Sequence, residues 1–185
     1  MSAHKLYGPT GVGVLYGKKE ILDAMPPYQG GGEMIKEVSF EKTTYADLPY
    51  KFEAGTPNIG DVIAFKLALD YIQAIGKPVI AAHEDELTAY ASEQLVQFDG
   101  LRLIGTADKK VSVVSFMFND IHHQDLAIML DQHGVAIRTG HHCTQPLMQR
   151  FEILGTSRIS FGLYNTKEEI DFFIEALKKV VNMLR

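Results

Sequence analysis

The chain has 185 residues, 46% hydrophobic and 22% charged, a length and balance that suit one compact domain or slightly more with a real core. Its net charge of −5, with no basic run, argues against a nucleic-acid partner, and no apolar stretch approaches the roughly 20 residues of a membrane helix. The start, Met1-Ser2-Ala3-His4-Lys5, has no apolar signal region, and the single cysteine, Cys143, cannot form an internal disulfide, so the expectation is a cytoplasmic protein.

Taken in chain order, the turn residues Gly8-Pro9-Thr10-Gly11 predict a short buried strand over Val12–Tyr16. A short helix is expected from Glu20 to Met25, stopped by Pro26-Pro27, and then a tight or flexible loop at Gly30-Gly31-Gly32. Residues 33–52 read as irregular or hairpin-like, with strand character in Ile35–Phe40. From Asn58 to Ile75 the apolar period becomes 3.6, with Val62, Phe65, Leu69 and Ile72 on one stripe. Gly76-Lys77-Pro78 ends that helix, and another is expected over Val79–Phe98. Strands are then predicted at Leu101–Ile104 and Val111–Phe118, a helix at His123–Gln132 stopped by Gly134, and strands at Val135–Ile137 and Ser157–Phe161. Thr166 and Glu169 form a capping box for a last helix that turns Ile170, Phe173, Ile174, Leu177, Val180 and Val181 inward. Glycines and turn signals crowd the chain before residue 76, and helix and strand alternate regularly after it. Residues 77–185 therefore read as a complete α/β layer domain, and residues 1–76 as a less self-sufficient piece.

Three positions invite chemistry. Cys143 stands in Arg138-Thr139-Gly140-His141-His142-Cys143, on a polar, glycine-containing loop at a strand end, where a buried structural cysteine is not expected. The thiolate is the nucleophilic form of a cysteine, and neighbouring cations or loop amides favour it. The same string offers two other readings. His141, His142 and Cys143, with His122 and His123, could ligate a metal, although no CxxC or HxxxH spacing is present. Cys143 with a histidine base could also serve a cysteine hydrolase. Lys5, in His4-Lys5-Leu6-Tyr7-Gly8-Pro9-Thr10-Gly11, sits between a histidine and a rigid turn, a setting in which an amine can serve Schiff-base chemistry. Arg158 lies inside the apolar strand Ser157–Phe161, where it needs an anionic partner: a substrate carboxylate or a structural ion pair.

These motifs together resemble the class V aminotransferase group of fold-type-I pyridoxal phosphate enzymes, in particular cysteine desulfurases and selenocysteine lyases of the SUF/CSD branch. Ser2-Ala3-His4-Lys5-Leu6-Tyr7-Gly8-Pro9-Thr10-Gly11 is similar to the cofactor-lysine segment of that family. Gly30-Gly31-Gly32-Glu33-Met34-Ile35, Phe52-Glu53-Ala54-Gly55-Thr56-Pro57-Asn58, the Arg138–Cys143 string and Tyr164-Asn165-Thr166 follow in the family order, so the resemblance covers nearly the whole chain.

The resemblance implies an α/β fold in which residues 1–76 end a large cofactor domain and residues 77–185 form the small C-terminal domain. It makes Lys5 the Schiff-base lysine, Ser2 and His4 contacts of the pyridoxal 5'-phosphate, and Thr56 a contact to the phosphate in the neighbouring subunit's site. Cys143 would attack the sulfur of L-cysteine or the selenium of L-selenocysteine, Arg158 would hold the substrate carboxylate, and Arg138 would line the site. The hairpin after Gly32 would pack on a second copy, giving a homodimer, and a SufE-type protein would accept the sulfur. The family's first half carries the groups that stack on and pair with the cofactor ring; these residues do not include it, and the chain alone is expected to lack turnover. A non-catalytic dimerisation or interaction module is the alternative reading.

Overall fold

A computed structural model describes residues 1–185, which fall into two compact units, Met1–Gly76 and Lys77–Arg185. In the first unit a single 3-10 turn, Ala3–Lys5, precedes helix α1 (Lys19–Ala24). A hairpin follows, of β1 (Ile35–Val38) and β2 (Thr43–Tyr45), then a second short turn at Tyr50–Phe52 and the long helix α2 (Ile59–Ile75). Asn58 caps α2 by accepting the Asp61 backbone N–H, satisfying one of the free donors of the first turn. Gly76 closes it at φ +94°, a conformation that favours glycine.

The expected strand at Val12–Tyr16 does not form. The segment is held by an isolated bridge between Ser2 and Gly13, with Ala3 N–H donating to Val12 O, Val14 N–H to Met1 O and the Met1 ammonium to Val14 O. A strand needs a ladder partner, and only Met1–Ala3 run alongside, so the apolar side chains of Val14, Leu15 and Tyr16 are left exposed. The stripe of α2 is also narrower than its periodicity suggests: Phe65 and Ile72 are buried, Leu69 half-buried and Val62 exposed. Within this unit only Ala3, Met34, Phe65 and Ile72 are buried apolar residues, so its own core is small.

The second unit begins with α3 (Lys77–Leu95) and continues through β3 (Leu101–Ile104), β4 (Val113–Phe118), α4 (His123–Gln132), β5 (Arg138–Gly140), α5 (Gln145–Phe151), β6 (Thr156–Ser160) and α6 (Lys167–Leu184). Its four strands form one antiparallel sheet in the order β3-β4-β6-β5. The alternation along β4 decides which face is covered: Val114, Phe116 and Phe118 are buried, and Val113, Ser115 and Met117 are half-buried. The first set joins Leu87, Ala91 and Leu95 of α3, Leu126 and Leu130 of α4 and Ile170, Phe173, Ile174, Leu177, Val180 and Val181 of α6 in the core. Phe116 meets Phe118 edge-on at 6.3 Å and Phe173 at 6.4 Å between ring centres. The expected capping box is present, with Thr166 Oγ1 accepting from Glu169 N–H and the Glu169 carboxylate accepting from Thr166 N–H.

Two expectations in this unit are corrected. Val135–Ile137 is not a strand: the ladder to β6 begins at Arg138, because the partner residues on β6 are Thr156–Arg158. Gln145–Phe151, which the apolar pattern does not reveal, is the helix α5, with a proline in its first turn where the missing N–H costs nothing.

The packing yields a direct stability test. Phe116→Ala removes a fully buried ring from the middle of the sheet and should lower the unfolding free energy by about 3–5 kcal/mol. Val111→Ala, at a side chain 75% exposed, should change it by less than about 0.5 kcal/mol. Urea denaturation measures both, and similar midpoints for the two variants would contradict this placement of the core.

Candidate active site

At the edge of the sheet β5 stops at Gly140, whose φ of +107° lets the chain turn away, and residues 141–144 lead into α5. His142 and Cys143 both lie in the left-handed region, at φ +53° and +61°. For residues with a Cβ that conformation costs roughly 1–2 kcal/mol each, so the surroundings must hold it. Thr144 contributes twice, donating its N–H (2.9 Å) and its hydroxyl (2.7 Å) to His141 O. The turn leaves Cys143 exposed, with Arg138 Nη2 pointing at its Sγ from 3.9 Å.

The register of the sheet sets Arg138 of β5 directly opposite Arg158 of β6, with Ser115 of β4 on the other side of Arg158. Directly opposed like charges oppose pairing, and the half-buried Arg158 also has a buried Nε–H without an acceptor. Neither arginine forms an ion pair with an acidic residue; the salt bridges of the chain lie elsewhere. A carboxylate would satisfy both features at once, since a guanidinium binds it through two parallel N–H donors. A cleft of about 490 Å³ opens here, lined among others by Ile137, Arg138, Arg158, Phe161, Asn165 and Phe173.

The histidines around this loop are engaged in packing. His142 Nε2 lies 3.1 Å from Thr156 O and 2.9 Å from Thr156 Oγ1, and its Nδ1 is buried without a partner. Burial holds its pKa below the usual histidine range; the Thr156 carbonyl opposes that push, while Arg158, Arg138 and His141 add to it. His123 is shifted the same way, first by burial and then by His122, His141 and His142. Its ring lies so close to Gly155 that a Cβ there would stand 2.7 Å from Cε1, and it stacks on His122 at 4.2 Å. No imidazole hydrogen-bonds to Cys143 Sγ, so the thiol–imidazole pair of a cysteine hydrolase is not assembled. No three His, Cys, Asp or Glu side chains are grouped to share a metal ion.

In the first unit, Ser2, His4 and Lys5 share one turn around the fully buried Ala3. Lys5 is exposed and its ammonium pairs with no carboxylate; the side chains of Ser2 and His4 are likewise without hydrogen bonds. Gly8 allows this turn to approach α2, since a Cβ there would meet Phe65 Cδ2 at 2.6 Å. Thr56 lies exposed on a different loop, after Gly55 at φ +76°, and Gly55 N–H ties that loop to Gly32 O.

The structure thus brings Arg138, Cys143 and Arg158 together at one sheet edge of the second unit and Ser2, His4 and Lys5 in one turn of the first, where Thr56 stands on a separate loop. From its residue type His142 offered a metal ligand, a base or a cation beside the thiol, and not an anchor. Its bond to Thr156 and the left-handed His142–Cys143 pair follow from tertiary contacts, and Gly140 was the one local sign of a strained turn.

The Aminotransferase class-V family matches residues 1–173. The chain is 49% identical over 183 residues to a probable cysteine desulfurase of Vibrio cholerae, covering 99% of this chain and 45% of the relative. It is 52% identical over 184 residues to one of Xylella fastidiosa, covering 100% and 44%. Its fold superposes on the S-sulfonic acid form of the Escherichia coli cysteine desulfurase CsdA with a TM-score of 0.94 and 40% identity, over 100% of this chain and 46% of that one. The apo cysteine desulfurase of Thermococcus onnurineus gives 0.91 and 38%, over 98% and 46%. The chain therefore spans a little under half the length of the relatives it matches. The α/β fold is the one the sequence resemblance implied, and the chain belongs to the class V aminotransferase family, with cysteine desulfurases among the relatives it matches along its whole length.

Proposed function

We propose that this chain is the C-terminal part of a pyridoxal-phosphate-dependent cysteine desulfurase, and that Cys143 is its sulfur acceptor. One observation carries the reading: the only thiol of the chain stands exposed beside a guanidinium, at the edge of a sheet that opposes Arg138 to Arg158. An exposed nucleophile next to two opposed arginines suits a small amino acid whose carboxylate they can bind and whose side chain ends in sulfur.

Residues of the first unit fit the cofactor. Lys5 offers an exposed, unpaired amine, and Ser2 and His4 in the same turn offer a free hydroxyl and a free imidazole for a phosphate. In this reading Thr56 serves the phosphate in the site of a second copy. Pyridoxal phosphate, when bound, supplies the electron sink that makes the carbon–sulfur bond of the substrate cleavable. The protein does the rest. Arg158, with Arg138 beside it, holds and orients the substrate carboxylate, and the Lys5 amine holds and returns a proton. Cys143 forms a sulfur–sulfur bond to the substrate as its carbon–sulfur bond breaks, so cysteine leaves as alanine and the enzyme thiol becomes a persulfide. Selenocysteine fits the same chemistry.

The hairpin supports a homodimer in this account, because every residue of β1 is exposed and Phe40 stands fully open between the strands. A short loop cannot carry the persulfide far, so a docking acceptor of the SufE type takes the sulfur on towards cluster assembly or another transfer pathway. No helix is long and apolar enough to cross a membrane, which agrees with work in the cytoplasm.

The test is a chimera joining this chain to the N-terminal half of the Vibrio cholerae relative. Lys5→Ala should abolish turnover and the borohydride-reducible cofactor bond, and Cys143→Ser should stop sulfur release while cofactor absorbance near 420 nm persists. A reducible bond at another lysine in the Lys5→Ala variant would contradict the assignment. The 185-residue chain alone should turn over no cysteine. The arginine pair makes its own prediction: with no anion bound, Arg138→Gln should raise Tm by roughly 1–3 °C at low ionic strength and less in salt. A fall in Tm would mean that the two guanidinium groups are not in conflict.

A further inference from the structure

The mechanism above uses Cys143 and two arginines and leaves the neighbouring imidazole without a task. We infer that His142 is a positioning residue for Cys143: its ring pins the left-handed His142–Cys143 pair to Thr156 of β6 and so fixes where the thiol stands beside Arg138. The inference rests on the reading of Cys143 as the sulfur acceptor, and it adds what holds that acceptor in place.

Two consecutive left-handed residues with side chains do not persist unless something outside the turn determines them. The Thr144 bonds to His141 O lie within the loop and close it on itself. The Cys143 side chain is exposed, and its one polar neighbour is the exposed Arg138 guanidinium at the long distance of 3.9 Å. His142 alone of these side chains reaches out of the loop to a rigid element, touching both oxygens of Thr156, a residue 1% exposed in the ladder with Gly140. The anchor therefore ties the far side of the turn to the strand beside its origin.

The same contacts define the proton state. A carbonyl oxygen only accepts, so His142 Nε2 carries the hydrogen and donates to Thr156. Nδ1 is buried without a partner; as a lone pair it is tolerated, but as an N–H it would be an unsatisfied buried donor. The charges that face the ring from the packed elements are Arg158 on β6, Arg138 on β5, His141 in the loop and His123 on α4, all positive or able to become so. No acidic group is among them. The neutral ring is thus the anchoring form. The sign follows: a histidine whose folded pKa lies below its unfolded value contributes stability above the ordinary histidine range, and that contribution is lost as pH falls through the lower folded value. Acid should loosen the cysteine loop before it unfolds the sheet.

Amide ¹⁵N relaxation of the 185-residue chain reads the loop directly, without cofactor or turnover. At pH 7.5 the Cys143 amide should be ordered, with S² about 0.85, and His142→Ala should drop it below about 0.6 while β4 and β6 stay rigid. His142→Gln, which keeps a donor of similar reach and cannot titrate, should restore the order. On acidification the wild-type Cys143 amide should lose order with the same midpoint as the His142 ring shifts, below the usual histidine range, and the Gln variant should not. If His142→Ala fails to fold, the Gln variant and the wild-type titration still decide the matter. A Cys143 amide that stays ordered in folded His142→Ala, shows no acid transition in the wild type, or loses order in the Gln variant overturns the inference. Absence of persulfide on Cys143 would overturn the desulfurase reading and leave this relaxation result standing.

Discussion

The pairing of β5 with β6 is the constraint on which the candidate site depends. Three pairs of residues, Arg138 with Arg158, Thr139 with Ser157 and Gly140 with Thr156, settle the register. That register opposes two guanidinium groups, places Thr156 where His142 can reach it, and releases the chain at Gly140 so that Cys143 emerges beside Arg138. A slip of one residue would turn every side chain of β5 to the other face and dismantle the arrangement. The core does the enforcing. Val114, Phe116 and Ile159 occupy the opposite face, and α3, α4 and α6 cover it, so the sheet cannot slip without exposing them.

The site is organised around an unmet electrostatic demand. Folded proteins usually pair buried donors and separate like charges, yet Arg158 has an unsatisfied Nε–H and faces another arginine. Such local costs persist where the rest of the fold can carry them, and they cluster at functional sites. The histidines show the complementary behaviour. Burial and surrounding positive charge hold His123 and His142 below the usual histidine range, so they act near neutral pH as uncharged packing groups beside the cations. Their neutrality keeps further positive charge away from the two opposed guanidinium groups.

Much of this was legible in the residues, and for identifiable reasons. The α6 helix was readable because its apolar period and its Thr166–Glu169 capping box agree, and all six residues expected to face inward are buried. The β3 and β4 strands and α4 were readable because each carries one clear period between turn residues. The failures lie where pattern and tertiary pairing diverge. Val12–Tyr16 and Val135–Ile137 are apolar enough for strands, but each lacks a full ladder partner. Val62 fits the stripe of α2 and is exposed nonetheless. Residue types singled out Cys143 and Arg158, each out of place in its setting, whereas Lys5 drew its weight from the family resemblance. The opposition of Arg138 and Arg158, the left-handed turn and the Thr156 contact belong to register and backbone conformation, which no local pattern encodes.

The central claim is that the thiol of Cys143 receives sulfur. Mass spectrometry of the cofactor-loaded chimera after treatment with L-cysteine tests it most directly, since the chain described here has only that one thiol. The account predicts one added sulfur on the peptide containing Cys143, removable by reductant, with alanine formed in equal amount. Alanine formed with sulfur found only on other peptides, or released without ever residing on Cys143, would contradict it.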